Sequence, residues 1–467
     1  MTMPIKNRML NLGALSTAFL LLAAGSWGAG RVLRDPSLPA PQIVHASPET
    51  LNYACPVGVV NPYDLEGNTA PSSLWNSAGT IEKRQKVSIL RADTSLNTLP
   101  ASLGVVGQGG GELRGLSMSS CQLPSTEHWS VLGASTTGED LVVTFANPNS
   151  SPSLVTIEAF GANGPIDVKT HQITVPAHST QSVLAGGLFP EESALALHIR
   201  ADGQGVATWI QSSAMQGETP KGSTTIAAAR PREETMLVGV STQGTSTLRL
   251  VVPPTGNTDD DNAHLSLSYT SEAGTFNVPG GQMDISAGSV VDIPLSGITD
   301  DRYTLRVHSD RQVVAQIVTN NEQEEYTGGS RWGMRSSIAA SPGLIRAELP
   351  SAQEIETLVR ERLSAHPLRG TAQESASGVS EIRSKLIITP GHSQSGVQLS
   401  LGKENVTVEA GKTVRMDLPA QSLVLESPSP LALAIEVEAQ TPSGLLRAVW
   451  PLSADDIEQG SAAITIN

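Results

Sequence analysis

Aromatic side chains are scarce in this chain of 467 residues: five Phe, six Trp and five Tyr make up 3% of it. Sugar-binding sandwiches usually offer stacked aromatic platforms, whose rings supply large contact area, so the scarcity counts against a glycan lectin. Cysteine is scarcer still, at two residues, Cys55 and Cys121. Two cysteines are too few for a thiolate metal site, and no CxxC redox motif is present. Basic charge is in deficit as well: 30 Lys and Arg stand against 45 Asp and Glu, a formal net charge of −15. An acidic surface repels phosphate, which argues against a nucleic-acid partner and against lying flat on anionic lipid headgroups.

Catalytic signatures are missing too. The nine histidines are scattered without HExxH, HxH or another metal-ligand spacing. There is no G-x-S-x-G elbow. Ser400-Leu401-Gly402-Lys403 satisfies S-x-x-K but reads as a strand and its turn. Gly107-Gln108-Gly109-Gly110-Gly111 lacks the Lys-Ser/Thr that completes a phosphate loop, and reads as a flexible loop. Asp259, Asp260 and Asp261 are consecutive, whereas a calcium loop alternates its oxygen ligands; a solvated loop is expected there. No catalytic, cofactor-binding or metal-binding residue is therefore assigned, and a non-enzymatic protein is expected. An enzyme would need a site assembled from separate loops.

What is present begins at the N-terminus. Lys6 and Arg8 precede an uncharged stretch from Met9 to Gly30, most apolar at Phe19-Leu20-Leu21-Leu22. About 20 apolar residues suffice to span a bilayer as a helix. Residues 1–34 are either a cleaved signal peptide or an uncleaved anchor; the length leans toward the anchor, and small residues at Ala23, Ala24 and Gly25 would suit a peptidase. Both readings place the rest of the chain outside the cytoplasm. There the isolated pair Cys55 and Cys121 is most simply a disulfide, whose loop would stabilise the region by about 4 kcal/mol.

Residues 35–54, rich in Pro, Ala and Ser, read as an extended spacer. Residues 55–128 show little periodicity and read as an irregular cap closed by the cysteines. Beyond Trp129, short β-branched runs alternate with Gly, Pro, Asn and Asp, the pattern of β-sandwich modules. A repeat emerges in which strand, Ala-His or Ala-Gly turn, and strand recur at Ala177-His178, Ala287-Gly288 and Ala410-Gly411. The last two strands of each unit read as a hairpin: 195–199 with 206–210, 303–307 with 313–317, and 432–437 with 445–450. The expected fold is all-β, with three tandem immunoglobulin-like sandwiches at 129–228, 229–345 and 384–467.

Residues 346–383 depart from this pattern. Ser351 and Glu354 have capping-box spacing, and Ile355, Leu358, Val359 and Leu363 share one helical face. A short helix and flexible linker between domains are expected, the helix docked either on a neighbouring domain or in a partner's groove. Trp209 and Trp450 fall in closing strands and read as core. Trp75, in a Ser-rich stretch of the cap, is either pinned to a small core or exposed; with Gly109 and Gly110 it marks a candidate binding loop.

Ser117-Met118-Ser119-Ser120-Cys121, Pro124, Glu127-His128-Trp129, Gly133–Gly138, Asn147-Pro148 and Phe160–Pro165, with Cys55-Pro56 upstream, carry a resemblance. The chain resembles an uncharacterised family of exported actinobacterial proteins, domain of unknown function 5719. The likeness runs over residues 9–345 and 384–467, with 346–383 resembling an addition. It implies a cell-envelope protein, single-span or signal-bearing, loosely associated with membrane glycosyltransferases of cell-wall assembly. No functional residues carry over. The expected role is an interaction scaffold or accessory subunit beside a membrane partner, a glycosyltransferase being one candidate. The rival is an envelope-glycan or glycolipid binder using the cap.

Overall fold

Alternation of inward and outward side chains is the local rule that builds this molecule. Along the strand Ser153–Gly161, Val155 and Ile157 are buried while Leu154 faces solvent, the two-residue period of a half-buried strand. The computed structural model describes residues 42–46, 50–93, 100–166, 171–255, 262–322, 333–341, 343–368, 378–391, 396–442, 444–452 and 462–466. Nearly every element is a strand. The chain forms two compact units, Met1–Pro48 with Gly460–Asn467, and Glu49–Gln459. In the first, Gln42–Ala46 pairs antiparallel with Ala462–Ile466. The stretch read as signal or anchor lies outside the described residues. Among the described residues, no helix is long and apolar enough to cross a membrane.

In the second unit, three modules share one topology. In module 1, one sheet holds Glu127–Ser130, Ala196–Ala201, Ser153–Gly161 and His171–Val175 in that order; the other holds Ser179–Leu184, Glu139–Asn147, Ala207–Gln216 and Thr219–Ala227. Apolar residues from both sheets, including Phe145, Ile157, Ile199 and Ile210, fill the space between them. Modules 2 and 3 repeat the order, with one difference. A single long strand, Arg302–Glu322 or Leu423–Thr441, serves both sheets. The recurring turn is present in all three: His178, Gly288 and Gly411 have φ of 52°, 76° and 67°. Left-handed backbone suits glycine, which explains two of the three residues.

The expected closing hairpins need correction. In module 1 the two strands lie in different sheets. In module 2, 303–307 and 313–317 are halves of one strand. A tight hairpin there would need residues with positive φ, and the polar stretch His308–Gln312 has no Gly or Asn. It marks instead the corner where the strand passes from sheet to sheet. Module 3 does end in a hairpin, Leu423–Thr441 with Gly444–Pro451. Its last strand, however, matches Thr219–Ala227 and Gly333–Ile338, so Trp209 and Trp450 are not equivalent. Both are buried, as expected of core residues.

The cap is not irregular. Thr50–Ala54, which the spacer reading included, pairs with Val87–Asp93, and Thr80–Arg84 adds to it. Gly58–Asn61 pairs with Asp64–Pro71, and Ser73–Asn76 joins Ser102–Gln108 and Gly115–Ser119. The last two strands are buried at every position and built largely from Gly, Ser and Gln. Leu103, Val105, Leu116 and Met118 alternate with Ser102, Gly104, Ser117 and Ser119, and both faces are covered, so burial itself does not alternate. Cys55 and Cys121 form the expected disulfide.

The segment 346–383 is not an inter-domain linker. Leu344–Leu349 is the first strand of module 3, paired with Leu423–Thr441, and the helix Ala352–Leu363 is inserted before the second strand, Glu381–Pro390. The capping box forms: Glu354 N donates to Ser351 Oγ at 3.2 Å, and Ser351 N donates to Glu354 Oε2 at 2.7 Å. Ile355, Val359 and Leu363 are fully buried in a core shared by module 3 and the cap residues Leu103, Val105, Leu116 and Met118.

Candidate functional site

The strand Gly115–Ser119 is where the modules meet. Its approach to module 1 leaves no room for a side chain: a Cβ on Gly115 would fall 1.9 Å from the Ser223 carbonyl oxygen. Ser117 Oγ accepts from Thr225 N at 2.8 Å, and Ser119 Oγ accepts from Trp209 Nε1 at 3.2 Å, both in module 1. Ser120 Oγ accepts from Trp450 Nε1 of module 3 at 3.0 Å. Three hydroxyls of one short segment thus anchor two modules.

Beside this strand opens a cleft of about 340 Å³, walled by the cap and all three modules. Small residues keep it open: Ala227, Ala228 and Ala229 on one side, Ala339, Ala340 and Gly343 on another. His128, Arg230 and Arg232 supply its ionisable lining. His128 is buried, and its Nε2 faces the Val206 and Ser125 carbonyls at 2.7 and 3.1 Å. Carbonyls only accept, so Nε2 carries the proton. Burial pushes the His128 pKa down to about 4, against the opposing pull of those carbonyls, and the ring is neutral near pH 7. Arg230 Nη2 donates to Ser125 Oγ at 3.0 Å.

A second polar cluster lies between modules 2 and 3. Glu436, 1% exposed, accepts from Arg302 Nε at 2.7 Å, Arg415 Nη2 at 2.7 Å and Arg447 Nε at 2.5 Å. Arg447 also donates to the Gly239 carbonyl. Burial alone would raise the Glu436 pKa; Arg447, Arg302 and Arg415 together outweigh it and hold the carboxyl at about 2. Every charge has a partner, which makes this cluster a joint rather than an open site. On the outer face of module 2, His264 lies between Asp284 and Asp310. Among the described residues, no group of three or more His, Cys, Asp or Glu is placed to hold a metal ion.

The candidate loop in the cap takes a different form. Trp75 stands in the strand Ser73–Asn76; its ring is edge-to-face with Trp450 at 6.5 Å, and its Nε1 donates to Glu354 at 3.1 Å. Gly109 and Gly110 are buried, so together they do not make an exposed recognition loop. Trp129, expected only as one dispersed tryptophan, stacks on His198 at 4.2 Å and packs between modules 1 and 2. Asp259–Asp261 lie outside the described residues. Sequence reasoning passed over Arg230 and Arg232. The legible signal was a pair of arginines flanking Pro231 at a module boundary in an acidic chain.

Ser117–Ser120 and His128, part of the motif that carries the resemblance, border this cleft. No curated protein matches the chain. The family match covers residues 79–419 and runs through 346–383, so the helix is included in the matched stretch rather than standing outside it. The chain belongs to the family of unknown function DUF5719.

Proposed function

We propose that the protein is a non-enzymatic scaffold of the cell envelope, single-pass with its C-terminal part outside the cytoplasm, which presents a fixed surface to a membrane protein partner. A membrane glycosyltransferase is the candidate partner that the resemblance suggests. The supporting observation is the way the modules are joined. Tandem sandwiches on flexible linkers would reorient, whereas these share cores. Ile387, Ala432, Ala434 and Val449 of module 3 belong to the core of module 2. Gln316 of module 2 accepts from Val131 N of module 1 at 2.9 Å, and Arg335 pairs with Glu139 at 2.5 Å. Rigid surfaces bind with less ordering cost than mobile ones.

The test is photocrosslinking in intact cells from the exposed positions Tyr63, Phe276 and Ile345, which lie in the cap, module 2 and module 3. The expected result is one membrane protein recovered repeatedly from one of these faces. Equal, diffuse labelling from all three, or none, would count against a scaffold.

A further inference from the structure

We propose that the cleft at the module junction binds a small hydroxylated anion: one carboxylate or phosphate carried on a sugar-sized body. It goes beyond the scaffold reading, which concerns the outer surface, and the two stand or fall separately.

Charge is the first reason. The protein carries a net charge of −15, yet the cleft lining contains Arg230 and Arg232 and no carboxylate. Arg230 is bonded to a serine hydroxyl, and neither arginine has a carboxylate partner among the described residues. Guanidinium groups match carboxylate and phosphate oxygens with parallel N–H donors.

The second reason is the buried histidine. Because Nε2–H serves the Ser125 and Val206 carbonyls, Nδ1 is an acceptor, and it has no protein partner among the described residues. A ligand hydroxyl would satisfy it. Ser125 links the two features, since its hydroxyl accepts from Arg230 and its carbonyl from His128. Acid and hydroxyl recognition are thus one residue apart. Ser119, whose Oγ already accepts from Trp209, keeps a hydroxyl hydrogen to offer a ligand oxygen.

Size and lining narrow the class. About 340 Å³ is at the low end of small-molecule sites and suits a single sugar-sized ligand. Histidine apart, no aromatic ring lines the cleft, so recognition runs through charge and hydrogen bonds rather than stacking.

The experiment is calorimetric titration of the full chain with D-glucuronate, glucose 1-phosphate, glucose and inorganic phosphate. At least one charged sugar should bind tenfold or more tightly than both glucose and inorganic phosphate. Which one binds identifies the acid as carboxylate or phosphate. The double variant Arg230→Gln/Arg232→Gln, both positions being exposed, should keep its circular dichroism and lose tenfold or more in affinity. A Lys pair at the same positions should recover part of it. The proposal is overturned if neither charged sugar binds at millimolar concentration, if glucose or inorganic phosphate binds as well, or if the Gln pair binds like the wild type.

Discussion

His128 and Glu436 are both buried and ionisable, and their pKa values are both depressed, for opposite electrostatic reasons. His128 is kept neutral by burial, while an unfolded histidine titrates near 6.5. Below that pH the unfolded chain takes up a proton that the folded chain refuses. Stability should therefore be lost as pH falls from about 6.5 toward 4, by up to about 3 kcal/mol from this residue. Urea unfolding across that range, compared with His128→Gln, checks it: the variant should lack that part of the slope. Glu436 stays charged because its three arginines outweigh the cost of burial. Its contribution is present above the ordinary carboxylate value and is lost as pH falls toward about 2. Replacing it by Gln leaves buried guanidinium groups uncompensated, and Glu436→Gln should lower unfolding stability by about 3–5 kcal/mol at neutral pH.

Among elements, the strand Gly115–Ser119 and the helix Ala352–Leu363 join the cap to its neighbours in different ways. The strand does so by close backbone approach. Gly115→Ala would push a methyl group into the Ser223 carbonyl, and a cost of about 3 kcal/mol is expected in equilibrium unfolding. The helix relies on Glu354, which closes the capping box, bonds Trp75 and accepts from Ser422. Glu354→Ala should cost about 1–2 kcal/mol, with faster hydrogen exchange concentrated in residues 352–363. The helix itself was legible, because its cap spacing and apolar stripe are local. Its insertion within module 3 was not, since only pairing with a strand some 80 residues later shows that Leu344–Leu349 belongs to that sheet.

Taken whole, Glu49–Gln459 has cores that cross module boundaries: one joins the cap to module 3, another joins module 2 to module 3. Modules that share cores lose stability together. Differential scanning calorimetry should show one dominant transition for this unit, with no module melting independently well below the rest. Three resolved transitions would mean that the shared cores contribute little. The cleft belongs to this scale as well, for its walls come from the cap and every module.

The sequence by itself determined the all-β character, the threefold recurrence, the disulfide and the helix cap. Each is set by periodicity, spacing or residue type over a short span. The left-handed turn was visible as Ala-His or Ala-Gly because backbone sterics act on single residues. Only the tertiary structure decided the rest: the strands hidden in the cap, the long strands shared by two sheets, and the buried arginine cluster around Glu436. It also brought Arg230, Arg232 and His128 to one cleft. Strands built of Gly and Ser are specified by how closely neighbours approach, and a cleft is specified by surfaces distant in the chain. Neither can be read from the order of residues over a short span.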